Sequence, residues 1–271
     1  MTAPQAPQSA PPTPDADPML GQFAYRDLMT PDPAAARAFY GALLGWRCTP
    51  REVAGMEYTD IAVDGRPFGG MVPLDPAHGD IPPHWSGYVA VDDVAAVCER
   101  AKAAGGTIFV PTHDIPDGTG QFAVLGDPTG ATVSVVRFTN GHQMPAGGTV
   151  AGGAWWHELL TTDLDKAITF YAAVFGWEAR PVMTLPDGVV YHILAGAGRD
   201  VGGLMQAPPD MPRSAWQMYF VVDDVDAAVA RAESLGGAAT WPAMDVPGTG
   251  RMAGLADPAG AMFAVGRAAA M

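Results

Sequence analysis

The chain has 271 residues, of which 48% are hydrophobic and 16% are charged, and its formal net charge is −14. This length allows two domains of ordinary size, each with a core of its own. The negative charge argues against nucleic acid or an anionic membrane as a partner, because both are negatively charged themselves. No apolar run approaches the length of a membrane span. The composition therefore predicts a globular protein whose partner is neither nucleic acid nor membrane.

The two cysteines and the first residues bear on where the protein resides. Residues 1–18 are rich in proline and alanine and lack the basic start and apolar core of a signal peptide, so we expect a disordered tail. Cys48 and Cys98 do not form a Cys-x-x-Cys pair, and a disulfide framework is not expected. Two reduced thiols favour a cytoplasmic location.

The first structured segment is predicted to be a strand over residues 22–30. Asp32 and Pro33 are typical of a helix N-cap and of the first helical position, and the helix should run over residues 34–44 and end at Gly45. Three short strands should follow, over residues 46–53, 56–63 and 67–73. These segments make one βαβββ unit.

The same order of elements recurs after a loop over residues 76–83. The second unit consists of a strand over residues 87–91, a helix from Asp92 to Ala104, and strands over residues 107–110, 121–125 and 132–138. Two further units are predicted over residues 155–206 and 216–265. The expected domains are residues 19–139 and 154–271, joined by a linker over residues 140–153 that contains five glycines.

The two halves of the chain repeat each other at a fixed spacing. Phe39-Tyr40 recurs as Phe170-Tyr171, and Gly45-Trp46 recurs as Gly176-Trp177, so that 170 − 39 and 176 − 45 both give 131. A Val-Asp-Asp-Val motif occurs at residues 91–94 and again at 222–225, and Asp-Pro-x-Gly occurs at 127–130 and at 257–260. Self-similarity at a fixed period indicates that one domain is present twice.

These motifs, in this order, resemble the vicinal oxygen chelate superfamily of glyoxalases, bleomycin-resistance proteins and ring-cleaving dioxygenases. The resemblance implies an α+β fold of tandem domains. In each domain two βαβββ modules would form a cupped eight-stranded mixed sheet, with helices on one face and a cleft on the other. It also implies that the pairing that relatives form between two subunits is made within this chain. We therefore expect a monomer, with a homodimer as the alternative.

The resemblance further implies where a metal ion would be bound. The family's ligand positions fall at Tyr25, Ser86 and Ser134 in the first domain, and at Trp156, Gln217 and Ala264 in the second. A divalent metal needs several nitrogen, carboxylate or thiolate donors that converge. Neither set provides them, so we predict no metal and no other cofactor.

Two carboxylates remain as candidates for chemistry. Side chains alternate along a strand, so Asp27 shares one face with Tyr25 and Met29. By the same rule Glu158 shares a face with Trp156 and Leu160. We expect both carboxylates in the clefts, where desolvation would raise the carboxyl pKa and suit it to general acid–base catalysis. The alternative is that each carboxylate only hydrogen-bonds to nearby backbone.

Two further residues are candidates for ligand binding in the second cleft. His192 could reach the cleft from the third strand of its unit, the alternative being a partly exposed strand histidine. Arg251 could hold an anionic substrate, the alternative being a surface arginine. His157 should point to the helix-packed face and have a structural role.

Three functions remain open at this point. The first is metal-independent binding of a small organic molecule in an apolar cleft, as in bleomycin-resistance proteins. The second is a lyase, isomerase or hydroxylase-like enzyme that uses Glu158 or Asp27 as general acid or base. The third is a structural protein whose clefts are filled by its own side chains.

Overall fold

The computed structural model describes residues 17–75, 81–141, 150–185 and 188–269. Most of the predicted tail over residues 1–18, and residues 142–149 of the predicted linker, lie outside the described residues. Within the described part, each half of the chain forms one eight-stranded mixed sheet and two helices. The predicted tandem α+β fold is confirmed.

The elements follow the predicted order in both domains. The first domain contains β1 (Phe23–Thr30), α1 (Pro33–Leu44), β2 (Arg47–Val53), β3 (Met56–Val63), β4 (Arg66–Pro73), β5 (His84–Ala90), α2 (Val94–Ala103), β6 (Thr107–Asp114), β7 (Gly120–Gly126) and β8 (Thr132–Phe138). The second contains β9 (Ala154–Thr161), α3 (Leu164–Phe175), β10 (Glu178–Thr184), β11 (Val190–Gly196), β12 (Arg199–Gln206), β13 (Ala215–Val221), α4 (Val225–Ser234), β14 (Ala238–Val246), β15 (Gly250–Ala256) and β16 (Met262–Ala268).

Both sheets have the same strand order. It is β2-β3-β4-β1-β5-β8-β7-β6 in the first domain and β10-β11-β12-β9-β13-β16-β15-β14 in the second. The first strand of each domain therefore lies at the centre of its sheet, between a parallel and an antiparallel neighbour. Alternate side chains on these central strands therefore lie at the middle of the sheet face that is turned away from the helices.

The predicted N-cap at Asp32 recurs at the start of all four helices. Asp32, Asp93, Asp163 and Asp224 each accept a hydrogen bond from the backbone N–H three residues further on, as N-cap residues do. Gly45 and Gly176 end α1 and α3 in the left-handed conformation that glycine adopts without steric cost. Alternate residues of the strands pack against these helices, and we call the opposite face of each sheet its cleft face.

The helices of one domain also pack against those of the other. One core cluster joins α1 and its neighbouring strands to α4 and the strands β13 to β16, and a second joins the α2 module to the α3 module. The resemblance implied a pairing within the chain, but the sequence did not predict which helices make it, because an amphipathic helix shows which face is buried but not what covers it. The two domains therefore share their cores.

The repeated motifs make the hydrogen bonds of this shared interface. The Tyr40 hydroxyl donates to Asp257 at 3.2 Å, and the Tyr171 hydroxyl donates to Asp127 at 3.1 Å. The same two hydroxyls accept from the indole N–H groups of Trp85 and Trp216, so these tryptophans also belong to the interface network.

The tryptophans of the two Gly-Trp pairs also hydrogen-bond across the domain interface. The Trp46 indole donates to the Gly152 carbonyl at 2.7 Å, and the Trp177 indole donates to the Gly21 carbonyl at 3.0 Å. Each of these contacts joins one domain to the residues just before the first strand of the other. The motifs that identify the family thus tie its two halves together.

Candidate functional site

The cleft face of the first domain is organised around Asp27 on β1. The Tyr58 hydroxyl on β3 donates to Asp27 Oδ1 at 2.8 Å. The Tyr25 hydroxyl lies 3.0 Å from that of Tyr58 and, since the Tyr58 proton is directed at Asp27, Tyr25 is the donor. Tyr88 on β5 hydrogen-bonds to the same carboxyl from the other side. Two tyrosine hydroxyls therefore hold a carboxyl that is only 6% exposed.

Two serines extend this network across the sheet. Ser86 lies opposite Asp27 in the β1–β5 register, and its hydroxyl is 2.8 Å from that of Ser134 on β8. Ser134 also hydrogen-bonds to Tyr88. The structure thus brings together four of the predicted site residues, Tyr25, Asp27, Ser86 and Ser134.

The second domain repeats the arrangement around Glu158 on β9. The Tyr219 hydroxyl donates to Glu158 Oε1 at 2.8 Å, and Tyr191 hydrogen-bonds to the same carboxyl. The Trp156 indole donates to the Tyr191 hydroxyl at 2.8 Å, as Tyr25 does to Tyr58 in the first domain. Gln217 lies opposite Glu158 in the β9–β13 register. Both halves therefore keep a buried carboxyl between two tyrosines.

Met29 and Leu160 are placed one step further along the central strands. Each lies two residues beyond the carboxylate, and side-chain alternation puts both on the cleft face. Both are partly exposed. They provide apolar surface beside the carboxyl groups.

The tyrosines that hold the carboxyls were missed by sequence reasoning, although the sequence contains a pattern that marks two of them. A Cβ atom at Gly70 would overlap the Tyr58 hydroxyl, and a Cβ atom at Gly203 would overlap the Tyr191 hydroxyl. Only glycine at these positions lets the tyrosine cross the neighbouring strand to the carboxyl. The tyrosines and glycines share one offset, since 191 − 58 and 203 − 70 both give 133.

The second cleft face carries more aromatic surface than the first. Trp155 packs over Gly266, and Trp241 packs over Gly254, where a Cβ atom would overlap each indole. Trp155 also lies edge-on to Tyr219, with ring centroids 6.3 Å apart. Trp155 therefore lies beside the Tyr219 ring whose hydroxyl binds Glu158, whereas Trp241 lies on β14 at the edge of the sheet.

Burial controls the protonation of both carboxyl groups. It raises the pKa of Asp27 to about 6, against the opposing effect of the hydrogen bonds from Tyr58 and Tyr88. It also raises the pKa of Glu158, again against two tyrosine hydrogen bonds. The pKa values of the tyrosines are raised by burial and by the neighbouring carboxylate, so they stay protonated as donors. A carboxyl with a pKa near 6 can accept and return a proton at neutral pH.

Two of the predicted ligand-binding residues lie on the other face. His192 pairs with Leu204, whose side chain is buried among the helices, and alternation from Tyr191 puts His192 on that same face. Arg251 makes ion pairs with Asp226 on α4 and with Asp245, which places it on the helix side of β15. The placement of both residues in the second cleft was wrong.

The residues at the family's metal positions do not fit a metal ion. The first domain presents a phenol and two hydroxyls there; the phenol hydrogen-bonds to Tyr58, and the two serine hydroxyls hydrogen-bond to each other. The second presents an indole, one amide and a methyl group, from Trp156, Gln217 and Ala264. In the part of the chain that the structure describes, no group of three or more His, Cys, Asp or Glu side chains could hold a metal. The fold and the paired cleft faces define a tandem vicinal-oxygen-chelate protein with altered ligand positions.

Comparisons with known proteins agree with this class. Residues 20–135 match the Glyoxalase/Bleomycin resistance protein/Dioxygenase superfamily, and residues 152–266 match the Glyoxalase-like domain. The putative glyoxylase CFP32 from Mycobacterium bovis is 38% identical over 243 residues, which cover 88% of this chain and 92% of the relative. The anthracycline biosynthesis protein DauV from Streptomyces sp. (strain C5) is 36% identical, over 90% of this chain and 92% of the relative.

A solved structure shows the same fold at low identity. The Mn(II)-bound glyoxalase from Novosphingobium aromaticivorans superposes with a TM-score of 0.60 at 15% identity, over 92% of this chain and 82% of that one. The chain belongs to the glyoxalase/bleomycin resistance protein/dioxygenase superfamily. Among the described residues, no helix is both long and apolar enough to cross a membrane.

Proposed function

We propose that the protein binds a small, largely apolar organic molecule on its cleft faces without a metal ion. The observation that carries this proposal is a buried carboxyl held between tyrosines, beside ligand positions that offer no metal donors, and repeated in both domains. Aromatic rings beside a single buried polar group are typical of sites for small organic ligands. The name of the relative DauV, an anthracycline biosynthesis protein, adds support for a planar aromatic compound.

The second cleft is the stronger candidate for such a ligand. Trp155, Trp156 and Trp241 provide indole faces there, where the corresponding cleft of the first domain carries mainly tyrosine and phenylalanine. Offset stacking on an aromatic ring contributes about 0.5–1.5 kcal/mol beyond the area that it buries. We expect the ligand to lie against these indoles, with a hydroxyl or carbonyl group directed at Glu158.

Titration with 1,4-dihydroxyanthraquinone, a neutral planar probe, tests the proposal through quenching of tryptophan fluorescence. We expect saturable binding that EDTA does not change, and a loss of about tenfold or more in affinity for Trp156→Ala. Ile81→Ala, which changes an exposed residue outside the helices and strands, is the matched control and should bind as the wild type does. Loss of binding in the presence of EDTA would refute metal-independent binding in this cleft. Unchanged binding by Trp156→Ala, together with a stoichiometric metal ion in metal analysis, would refute it as well.

A second function is supported by the protonation behaviour of Asp27. Because burial raises the pKa of this carboxyl to about 6, Asp27 is suited to move a proton at the carbon next to a carbonyl group. The name of the relative CFP32, a putative glyoxylase, makes the hemithioacetal of methylglyoxal and glutathione a suitable probe. Enzymatic isomerisation of the probe should be lost in Asp27→Asn or in Glu158→Gln while ligand affinity is retained. Full turnover by the double variant would exclude both residues as the acid or base.

The shared cores support a proposal for the oligomeric state. Because α1 packs on α4 and α2 packs on α3 within one chain, the helix faces need no second copy to cover them. We therefore propose a monomer, for which sedimentation velocity should give a single species of the chain mass. A stable dimer at micromolar concentration would contradict it.

A further inference from the structure

A cavity of about 170 Å³ lies where the two domains meet, and Trp156 of the second cleft forms part of its wall. Its wall includes Gln22, Phe23 and Arg26 from the first domain and Ala154, Trp155 and His157 from the second. Arg26 and His157 occupy equivalent positions of the two halves, since 157 − 26 gives the repeat spacing of 131. The cavity therefore lies close to the approximate two-fold axis that relates the domains.

Arg26 is a buried cation without a counter-ion. Its side chain is 1% exposed, and its guanidinium donates through Nη1 to the Phe68 carbonyl at 3.0 Å and lies 4.4 Å from the centre of the Phe68 ring. The Nε atom has no hydrogen-bond partner, and no carboxylate among the described residues forms an ion pair with Arg26. Burial of a charge is costly unless the charge is paired. The site therefore lacks one negatively charged acceptor.

A difference between the two halves explains why the cavity is open beside Arg26. On one side the Phe23 ring stacks on His157, with centroids 4.0 Å apart and planes 11° from parallel. The equivalent contact on the other side would be made by residue 154 on Arg26, and that residue is alanine. The missing ring leaves space against the guanidinium.

The other titratable groups at the cavity do not neutralise Arg26. Burial, and secondly the positive charge of Arg26, hold the pKa of His157 well below its usual value, so His157 is neutral and can offer one N–H donor. Asp200 is exposed at the edge of the cavity and forms an ion pair with Arg180. Asp27, the next residue on β1, attracts Arg26 electrostatically but lies on the opposite face of the strand and forms no ion pair with it. The guanidinium is therefore left without an anionic hydrogen-bond partner, although the whole chain carries a net charge of −14.

We propose that this junction cavity binds a small oxyanion, either an organic carboxylate or an inorganic ion, through the Nε–H of Arg26. An oxygen of the ligand would complete the hydrogen bonding of the guanidinium, as carboxylates and phosphates do with arginine elsewhere. The bound anion would also link the domains, because residues of both line the cavity. This site is distinct from the carboxyl networks of Asp27 and Glu158, although Trp155 and Trp156 border both the cavity and the second cleft.

The direct test is an NMR titration of the arginine Nε–H resonances in the full-length protein, at constant ionic strength set with sodium chloride. Sodium acetate and sodium sulfate are the two probes, and whichever shifts the Arg26 resonance at the lower concentration identifies the organic or the inorganic source. We expect a saturable shift of that resonance and a rise in the thermal unfolding midpoint with the same anion. Arg26→Gln should lower the affinity for the anion, obtained from these midpoint shifts, by at least about tenfold, or 1.4 kcal/mol.

Two further variants keep the test independent of whether Arg26→Gln folds. Ala154→Phe retains the arginine but restores the ring that the other half carries, and it should abolish the response to the anion. Arg251→Gln removes an exposed arginine far from the junction and should respond as the wild type does. A response that persists unchanged in Ala154→Phe, or an Arg26 resonance that neither anion shifts, would overturn the proposal.

Discussion

Replacing Asp27 with asparagine tests the protonation chemistry of the first cleft. Burial raises the pKa of this carboxyl from 3.8 to about 6. When a carboxyl has a higher pKa in the folded protein than in the unfolded chain, the folded protein loses stability as the pH rises from the unfolded-state pKa to the folded-state pKa. Above both pKa values the loss is complete and stays constant. These two values correspond to a cost of about 0.5 kcal/mol at pH 4 and about 3 kcal/mol at pH 7.5. Asp27→Asn should remove this cost, since the tyrosine hydroxyls can still donate to the amide oxygen.

Urea unfolding of wild type and variant at pH 4 and pH 7.5 measures the effect. The stability advantage of Asp27→Asn should grow by about 2.5 kcal/mol between the two pH values. Asp210→Asn is the matched control, because Asp210 is exposed and lies outside both cleft networks, so its difference from wild type should stay nearly constant. A stability difference for Asp27→Asn that does not change with pH would show that burial does not raise the pKa of this carboxyl.

Three further substitutions test the contacts around the two sites. Tyr58→Phe removes a hydrogen bond that lowers the pKa of Asp27, so the pKa should rise further, as carbon NMR titration of the carboxyl would show. Gly203→Ala forces a methyl group against the Tyr191 hydroxyl and should cost about 1–3 kcal/mol of stability in urea unfolding. Tyr171→Phe removes the hydroxyl that bridges the domains and should cost about 1–3 kcal/mol, because a buried indole N–H loses its acceptor.

Each of these changes has a control in the chain. Tyr40→Phe removes the equivalent hydroxyl on the other side of the interface and should cost about as much as Tyr171→Phe, so a large inequality would contradict the two-fold account. Gly41→Ala lies in α1 with its nearest neighbour at 3.5 Å and should be neutral or stabilising by up to about 1 kcal/mol. A loss as large for Gly41→Ala as for Gly203→Ala would refute the overlap argument. An unchanged Asp27 pKa in Tyr58→Phe would refute the role of that hydroxyl.

The sequence predicted the features that depend on short-range rules, and these features occur in both halves of the chain. The caps at Asp32 and Asp163, the stops at Gly45 and Gly176 and the order of the strands all follow from local chemistry, and repetition at one spacing confirmed each of them. The shared face of Tyr25 and Asp27 also follows, because alternation is a local property of a strand.

What failed depends on long-range geometry. The direction of Arg251 is decided by Asp226, on a helix more than twenty residues earlier in the chain. His192 lies on the predicted strand, but its neighbour Tyr191 points to the cleft, and adjacent residues on a strand point to opposite faces. The tyrosines that hold the carboxyls reach them from neighbouring strands, so their role depends on strand order and register, which residue spacing alone does not provide.

The crossed hydrogen bonds of the interface have a consequence for how such a chain can change over time. The tyrosine of one half relies on the aspartate of the other, and the tryptophan of each half relies on a carbonyl before the other's first strand. The two copies are therefore free to diverge in their clefts, where Ser134 and Ala264 already differ, but not along the motifs that they exchange. A duplicated gene of this kind keeps one copy of its recognition surface available for a new ligand while each half still serves as the folding partner of the other.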